Sequence, residues 1–255
     1  MITLLVIAGS DSSGGAGIQA DIKTSASLGA HAVTAVTAVT AQNSLGITAV
    51  HKLPAGFISR QIEILLEDLV PSAVKIGMLY TATAVREVAK LLREHKLKPV
   101  VVDPVLKAST GRELLEQDAV SALKDELFPL TTVVTPNLYE AEILSGKKLA
   151  NVEEMIEAAR ALKRFGPDVV ITGGHCTDKC VDLVFDGTDV HQFVGSKITT
   201  KHTHGSGCVF STALAVSLSE EKSLVKAVEM AHDFTRNAIL NGYACGRGSG
   251  PVKAG

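Results

Sequence analysis

The residues whose types most clearly indicate a functional site are Gly205, Ser206, Gly207 and Cys208. They immediately precede a segment with the apolar spacing of a helix. A glycine-rich entry leaves backbone N–H groups unpaired at a helix N-terminus. Together with the helix dipole, these donors form a site for an anion such as phosphate. Cys208 falls in the first turn, where the same field favours a thiolate. The alternative is a glycine-containing loop before an ordinary helix.

A second glycine-rich segment, residues 8–21 (AGSDSSGGAGIQAD), follows an apolar strand and opens a helix. It lacks the Gly-Lys-Ser/Thr ending of a P-loop. It contains G-x-G-x-x-A, but no acid lies between Asp21 and Glu63 to hold a ribose, so we interpret the dinucleotide match as accidental. We expect the glycines to let the backbone approach a ligand closely. Asp21 then lies one helical turn further on and faces either a polar ligand group or solvent.

Three further side chains each follow a predicted β-strand: Gln42, Met78 and Asp103. Ligands of open α/β sheets bind at the carboxyl ends of the strands, so these residues are expected at one ligand-binding edge. The side-chain amide of Gln42 is suited to recognising a heterocycle through hydrogen bonds. The alternatives are a glutamine in a turn, a methionine that fills the core and an aspartate that caps a helix.

Asn137 and Glu140 are three residues apart at the start of a predicted helix and therefore share one helix face. Such a pair can hold a hydrated Mg²⁺ beside phosphates, because Mg²⁺ usually keeps several of its waters. The alternative is an asparagine N-cap with glutamate at N3, as in a capping box. The two interpretations are compatible.

Strands alternate with amphipathic helices almost throughout the chain, for example helices at 57–69 and 152–165. The 255 residues are 46% hydrophobic, with no Pro/Ser-rich linker, repeat or low-complexity tract. The pattern predicts one α/β domain of residues 1–255 with a mainly parallel sheet covered on both faces. A predicted hairpin at 181–194 breaks the strict alternation and disfavours a barrel.

Composition excludes several classes of partner and site. The formal net charge of -2 gives no indication of nucleic acid or an anionic membrane. No apolar run approaches the roughly 18 residues of a membrane span, and the apolar N-terminus lacks the basic region of a signal peptide. Four cysteines indicate a cytosolic protein without a disulfide framework. We interpret residues 175–180 as a loop rather than a zinc site, because no second Cys/His pair completes a ligand set.

In combination these motifs resemble the hydroxymethylpyrimidine/phosphomethylpyrimidine kinases of thiamine biosynthesis, within the ribokinase superfamily. The similarity rests on residues 8–21 and on shorter motifs in the expected order, and it covers essentially the whole chain. The shorter motifs are KIGML (75–79), DPV (103–105), TPNLYEAE (135–142), HTHGSGC (202–208) and GSGPV (248–252). The resemblance implies a ribokinase-like three-layer α/β/α sandwich with a mainly parallel central sheet.

The resemblance also implies ATP with Mg²⁺ and an acceptor pyrimidine, 4-amino-5-hydroxymethyl-2-methylpyrimidine, which is phosphorylated to its monophosphate and then to its diphosphate. The residues expected to hold the pyrimidine are Gly9, Asp21, Gln42, Met78 and Val105. Those expected at the nucleotide are Asn137, Glu140, Thr172 and Gly174, with Asp103 and Glu140 at the metal. Gly205, Ser206, Gly207 and Cys208 match the anion hole and the catalytic position. Relatives are often dimers, so a homodimer is expected.

Two positions depart from the patterns of relatives. Many relatives carry lysine where this chain has Thr172, near the nucleotide phosphates, and this favours a similarity to pyridoxal kinases. Most sugar kinases of the superfamily carry aspartate where this chain has Cys208. A thiol can stay neutral beside a phosphate monoester, the second acceptor, whereas a fixed carboxylate would repel it. The alternative functions are a pyridoxal kinase of vitamin B6 salvage and a catalytically silent pyrimidine-binding regulator.

Overall fold

The computed structural model describes residues 1–108, 110–173 and 179–255. Within these residues the strands are β1 (Thr3–Asp11), β2 (His31–Asn43), β3 (Gly46–Lys52), β4 (Ala73–Ile76), β5 (Val100–Val102), β6 (Val133–Val134), β7 (Asp168–Ile171), β8 (Lys179–Phe185) and β9 (Val190–Ser196). They form one open sheet in the order β3-β2-β1-β4-β5-β6-β7-β8-β9. The open order excludes a barrel.

The central part of the sheet is parallel, from β2 through β1, β4, β5 and β6 to β7. The edges are antiparallel: β3 pairs with β2, and β8 pairs with both β7 and β9. The mainly parallel sheet and the hairpin predicted from the sequence are therefore confirmed. Every residue of β4, β5 and β6 is buried, as expected for parallel strands covered on both faces.

The described helices are α1 (Gly17–Ser27), α2 (Ala55–Leu66), α3 (Ala82–Glu94), α4 (Ala119–Ala122), α5 (Leu138–Ser145), α6 (Val152–Lys163), α7 (Ser206–Ser219) and α8 (Leu224–Leu240). Residues of α1, α7 and α8 build the core on one face of the sheet, and residues of α2 to α6 build the core on the other. The molecule therefore has the three predicted layers. In the part of the chain that the structure describes, no helix has the length and apolar character needed to cross a bilayer.

Side-chain caps explain where several helices begin. The Thr81 hydroxyl accepts from the backbone N–H of Ala84 at the start of α3, and Asn151 and Ser223 cap α6 and α8 in the same way. The helix predicted near 117–127 differs in form, because α4 is short and continues into a π-helical turn and a 3₁₀ turn. Pro129 lies within the 3₁₀ turn and cannot donate a backbone hydrogen bond.

Candidate active site

The predicted site residues lie where the parallel strands end. Gln42 is the penultimate residue of β2, Asp103 follows β5, and Asn137 comes shortly after β6. Met78 and Thr172 follow β4 and β7. Because these strands run in the same direction, their carboxyl ends meet at one edge of the sheet, as the sequence predicted.

The turn before α7 has the geometry of an anion site. Gly205 has φ 84°, and a Cβ at this position would collide with the carbonyl oxygen of Gly15, so only glycine fits. The N–H groups of Gly207 and Cys208 lie in the first helical turn, where no carbonyl of the helix can accept from them. The N–H of Ser206 already donates to the carbonyl of Thr203 at 3.2 Å. Gly207 and Cys208 are therefore the better donors for an anion.

Cys208 is half-buried at the start of α7. Burial raises the pKa of its thiol to about 12, with a further rise from Asp21 and Asp103, although Lys75 and a hydrogen bond from the Gly17 backbone act in the opposite direction. The sequence-based expectation that the helix field favours a thiolate is therefore wrong for the ligand-free protein. Loss of solvation is the largest cause of the raised pKa, so burial favours the neutral thiol over the thiolate.

Asp21 is completely buried, so the solvent-facing alternative is wrong. Its two carboxylate oxygens accept from Lys75 Nζ at 2.9 and 3.0 Å, and one also accepts from the Thr212 hydroxyl at 2.8 Å. These contacts join α1, β4 and α7 beneath the anion site. Whether Asp21 also contacts a pyrimidine stays a prediction.

Lys75 is a functional candidate that the sequence reasoning missed, and it is also completely buried. Burial by itself lowers the pKa of a lysine, but the charge of Asp21, aided by Cys208 and Asp103, raises the pKa of Lys75 above its usual range. A Cβ on Gly77 would lie 3.0 Å from Lys75 Nζ, so the glycine leaves room for the ammonium group. The available signal was a lysine inside an otherwise apolar strand.

Asn137 and Glu140 form the capping box of α5. The Asn137 side chain accepts from the Glu140 N–H at 3.0 Å, and Glu140 Oε2 accepts from the Asn137 N–H at 3.0 Å. Glu140 Oε1 accepts from the N–H of Leu106 at 3.3 Å. The cap interpretation is thus confirmed, and it fixes the Glu140 carboxyl near the end of β5.

Asp103 and Glu140 are both buried and close enough to affect each other's ionisation. Burial raises the pKa of Glu140 to about 8, and the charge of Asp103 adds to this rise. Burial also raises the pKa of Asp103 to about 6, although Lys75 and a hydrogen bond from Ser211 oppose it. Two neighbouring buried carboxyls whose pKa values are both raised are suitable ligands for a cation such as Mg²⁺.

We predict that Mg²⁺ stabilises the protein more at pH 8 than at pH 6. Because the folded pKa values of Asp103 and Glu140 are raised, their contribution to stability is fully present at low pH and is lost as pH rises through about 6 and then about 8. A cation replaces the missing protons and binds more tightly as they leave. Thermal unfolding at both pH values, with and without Mg²⁺, measures this. Equal Mg²⁺ shifts at the two pH values, or the same pH trend in a D103N/E140Q variant, would contradict it.

Met78 and Val105, two predicted pyrimidine contacts, lie together in a small apolar cluster with Ala38 and Leu114. A Cβ on Gly9 would collide with the terminal methyl of Met78, so glycine at this position allows the Met78 side chain to pack directly against the backbone. The structure thus brings three of the predicted pyrimidine residues to one wall.

Asp11 and His204 are a second pair that sequence reasoning missed. His204 Nε2 lies 2.8 Å from Asp11 Oδ2, and it also lies 3.2 Å from Gln42 Nε2. Burial favours a raised pKa for Asp11, but hydrogen bonds from His204 and Ser13 lower it to about 2. The pair connects the first glycine-rich loop to the anion site.

Comparison with known proteins agrees with this geometry. The family model described as phosphomethylpyrimidine kinase matches residues 11–253. The chain belongs to this family. It is 44% identical over 251 residues to the hydroxymethylpyrimidine/phosphomethylpyrimidine kinase of Bacillus subtilis, covering 97% of this chain and 93% of that protein.

Two further relatives show the range of the similarity. The chain is 43% identical over 252 residues to the thiamine biosynthesis bifunctional protein ThiED of Geobacter sulfurreducens, covering 98% of this chain but only 51% of that protein. An ADP complex of Bacillus subtilis pyridoxal kinase superposes with a TM-score of 0.93 at 38% identity, covering 100% of this chain and 97% of that one. The predicted ribokinase-like fold is confirmed.

In this phosphomethylpyrimidine kinase family member, Thr172 lies beside the capping box. Its N–H donates to the carbonyl of Pro136 at 3.0 Å, and Thr172 and Asn137 form an isolated parallel β-bridge. The position is therefore suitable for contact with a nucleotide held at Asn137. The other nucleotide residue predicted here, Gly174, lies outside the described residues, as does most of the 175–180 segment.

Proposed function

We infer that the protein is a kinase of thiamine biosynthesis that phosphorylates hydroxymethylpyrimidine to its monophosphate and then to its diphosphate with ATP. The observation that supports this most strongly is that Asp103 lies next to both the anion-site turn and the capping box: a Cβ on Gly207 would lie 3.7 Å from Asp103 Oδ2, and the charge of Asp103 raises the pKa of Glu140. Family membership and relatives named for this activity support the choice of substrate.

Phosphoryl transfer requires mainly positioning and stabilisation of charge. In the proposed mechanism the nucleotide lies against Asn137 and Thr172, and the N–H groups of Gly207 and Cys208 face the transferring phosphoryl group. Asp103 and Glu140 would hold Mg²⁺, which supplies positive charge next to the phosphates. The acceptor oxygen forms a bond to the γ-phosphorus as the bond from that phosphorus to ADP breaks.

Cys208 faces two different acceptors in this proposal. The first acceptor is an alcohol, and its proton passes to an oxygen of the transferred phosphoryl group, because the neutral thiol cannot take it. The second is a phosphate monoester, which is already an anion and needs no base. The raised pKa keeps the Cys208 thiol neutral, so it does not repel the second acceptor.

We predict that C208D impairs the second phosphorylation more than the first. An aspartate can accept the proton of the alcohol but places a negative charge against the anionic monophosphate. Separate rate measurements with the pyrimidine and with its monophosphate test this, with C208S as the neutral control. Equal losses in the two steps for C208D would show that charge at this position does not discriminate between the acceptors.

Product mass is the direct test of the function. Purified protein is given Mg-ATP with either hydroxymethylpyrimidine or pyridoxal, and products are identified by LC–MS. We expect a monophosphate followed by a diphosphate of the pyrimidine. A phosphate on pyridoxal alone would indicate a vitamin B6 kinase, and no product from either would indicate a silent regulator.

We also propose that the protein is a single-domain cytoplasmic homodimer whose ligands are small molecules, with no nucleic-acid or membrane partner. The low cysteine content supports the compartment, and the net charge of -2 supports the absence of a polyanionic partner. Resemblance to dimeric relatives supports the oligomeric state. Light scattering coupled to size exclusion tests the dimer.

A further inference from the structure

The orientation of the Gln42 amide depends on protons that its neighbours carry. Gln42 Nε2 lies 3.2 Å from His204 Nε2, and Gln42 Oε1 lies 3.2 Å from the Thr40 hydroxyl. A half-turn of the amide exchanges its oxygen and nitrogen with almost no change in shape. The hydrogen-bonding needs of His204 and Thr40 therefore decide which atom faces which neighbour.

The first constraint comes from Asp11. Besides His204, its carboxylate accepts from the N–H and hydroxyl of Ser13 and from the N–H groups of Gly15 and Ala16. A carboxyl group with this many donors is ionised and can only accept. The His204 Nε2 atom, 2.8 Å from Asp11 Oδ2, must therefore carry a proton. A protonated Nε2 cannot accept from an amide N–H, so the Gln42 atom beside it is the oxygen, which shares the single Nε2 proton with Asp11 Oδ2.

The second constraint comes from Thr40 and is independent of the first. The Thr40 hydroxyl also lies 3.0 Å from the backbone carbonyl oxygen of Ser10. A carbonyl can only accept, so the single hydroxyl proton of Thr40 is used there. The hydroxyl oxygen then accepts from its other neighbour, which must be the Gln42 N–H₂ group. Both ends of the amide thus require the same orientation, with nitrogen at Thr40 and oxygen at His204.

We propose that His204, held by Asp11, is a positioning residue that fixes the Gln42 amide so that its nitrogen donates to a ring nitrogen of the acceptor heterocycle. In this orientation one amide proton is taken by Thr40, and the second is available to a ligand. A pyrimidine ring nitrogen is a matching acceptor. The inference rests on the proposed function, in which Gln42 contacts the pyrimidine.

The surroundings of His204 make it a rigid support. Its N–H donates to the carbonyl of Gly250 at 3.2 Å, and its carbonyl accepts from Val252 at 3.1 Å. It directly precedes Gly205, where a positive φ and the nearby carbonyl oxygen of Gly15 leave no room for a side chain. One side chain therefore couples the heterocycle contact to the anion site.

The protonation of His204 can be read directly by long-range ¹H–¹⁵N NMR of the intact protein without ligand. The His204 signals are identified by their loss in H204F. We expect a proton on Nε2, in either the neutral or the cationic ring. A neutral ring with its proton on Nδ1 alone would overturn the inference, because Nε2 would then accept from the amide.

A double-mutant cycle tests the positioning role, with hydroxymethylpyrimidine binding measured by calorimetry without ATP. H204F is expected to weaken binding about tenfold, which corresponds to the net free-energy contribution of roughly one hydrogen bond. In a Q42A background, H204F should weaken pyrimidine binding little further, because His204 affects binding only by orienting the Gln42 amide. H202F is the matched control, since His202 lies in the same loop and accepts from the Gly250 N–H instead.

The outcomes separate the two proposals. Additive losses for H204F and Q42A would overturn the positioning role and leave Gln42 as a pyrimidine ligand. Unchanged binding by Q42A would overturn both the role of Gln42 in the proposed function and the positioning role of His204. Non-additive losses with an additive H202F control would support the inference.

Discussion

Replacing Lys75 by methionine is expected to lower the free energy of unfolding by about 3–5 kcal/mol, because it breaks a buried ion pair by removing one partner. Lys75 and Asp21 have no exposed side-chain surface, and Lys75 Nζ contacts both carboxylate oxygens of Asp21. The K75M variant leaves that carboxylate buried without its cation. Urea unfolding followed by circular dichroism measures the loss.

A second variant separates the effect of the charge from the effect of side-chain volume. K75M/D21N removes both charges and keeps a side-chain oxygen that can accept from the Thr212 hydroxyl. It should recover much of the lost stability, since replacing a whole buried ion pair is often close to neutral. A K75M loss below about 1 kcal/mol, the range typical of surface ion pairs, would argue against an intact buried pair.

Replacing Glu140 by glutamine is expected to reduce kcat by about 100- to 1000-fold, the range seen when one electrostatic group is removed from a site that stabilises developing charge. Binding of the pyrimidine should stay nearly unchanged, because the carboxyl lies at the capping box and not at the Met78 wall. Steady-state kinetics and calorimetry on the same preparation measure the two quantities.

The structure offers a matched control for this variant. Glutamine at position 140 can still accept from the Asn137 N–H through its single side-chain oxygen, so the cap of α5 is preserved while the hydrogen bond from the Leu106 N–H is lost. Glu142 lies on the same helix and accepts from the Leu149 N–H, so E142Q changes the same functional group outside the site. A kcat for E140Q within twofold of the wild type, or an equal loss in E142Q, would contradict the role given to Glu140.

Short-range patterns predicted much of the fold and part of the site. The alternation of strands and helices follows from apolar periodicity, and the Asn137–Glu140 capping box is visible in a spacing of three residues. The Lys75–Asp21 and Asp11–His204 pairs join residues 54 and 193 positions apart, so no local pattern identifies them. The thiolate prediction was wrong for the same reason. The helix dipole is a local effect, whereas the burial that raises the pKa of the Cys208 thiol depends on the tertiary fold.

The contact between Met78 and Gly9 bears on how enzymes of this family diverge. In the proposed acceptor pocket, one wall would be the flexible thioether of Met78, which packs against the backbone of Gly9, and methionine adapts its shape more readily than branched side chains. Selection can therefore reshape this wall by exchanging side chains while the strand beneath stays in place. A backbone that superposes on a pyridoxal kinase with a TM-score of 0.93 therefore occurs in a family named for a pyrimidine.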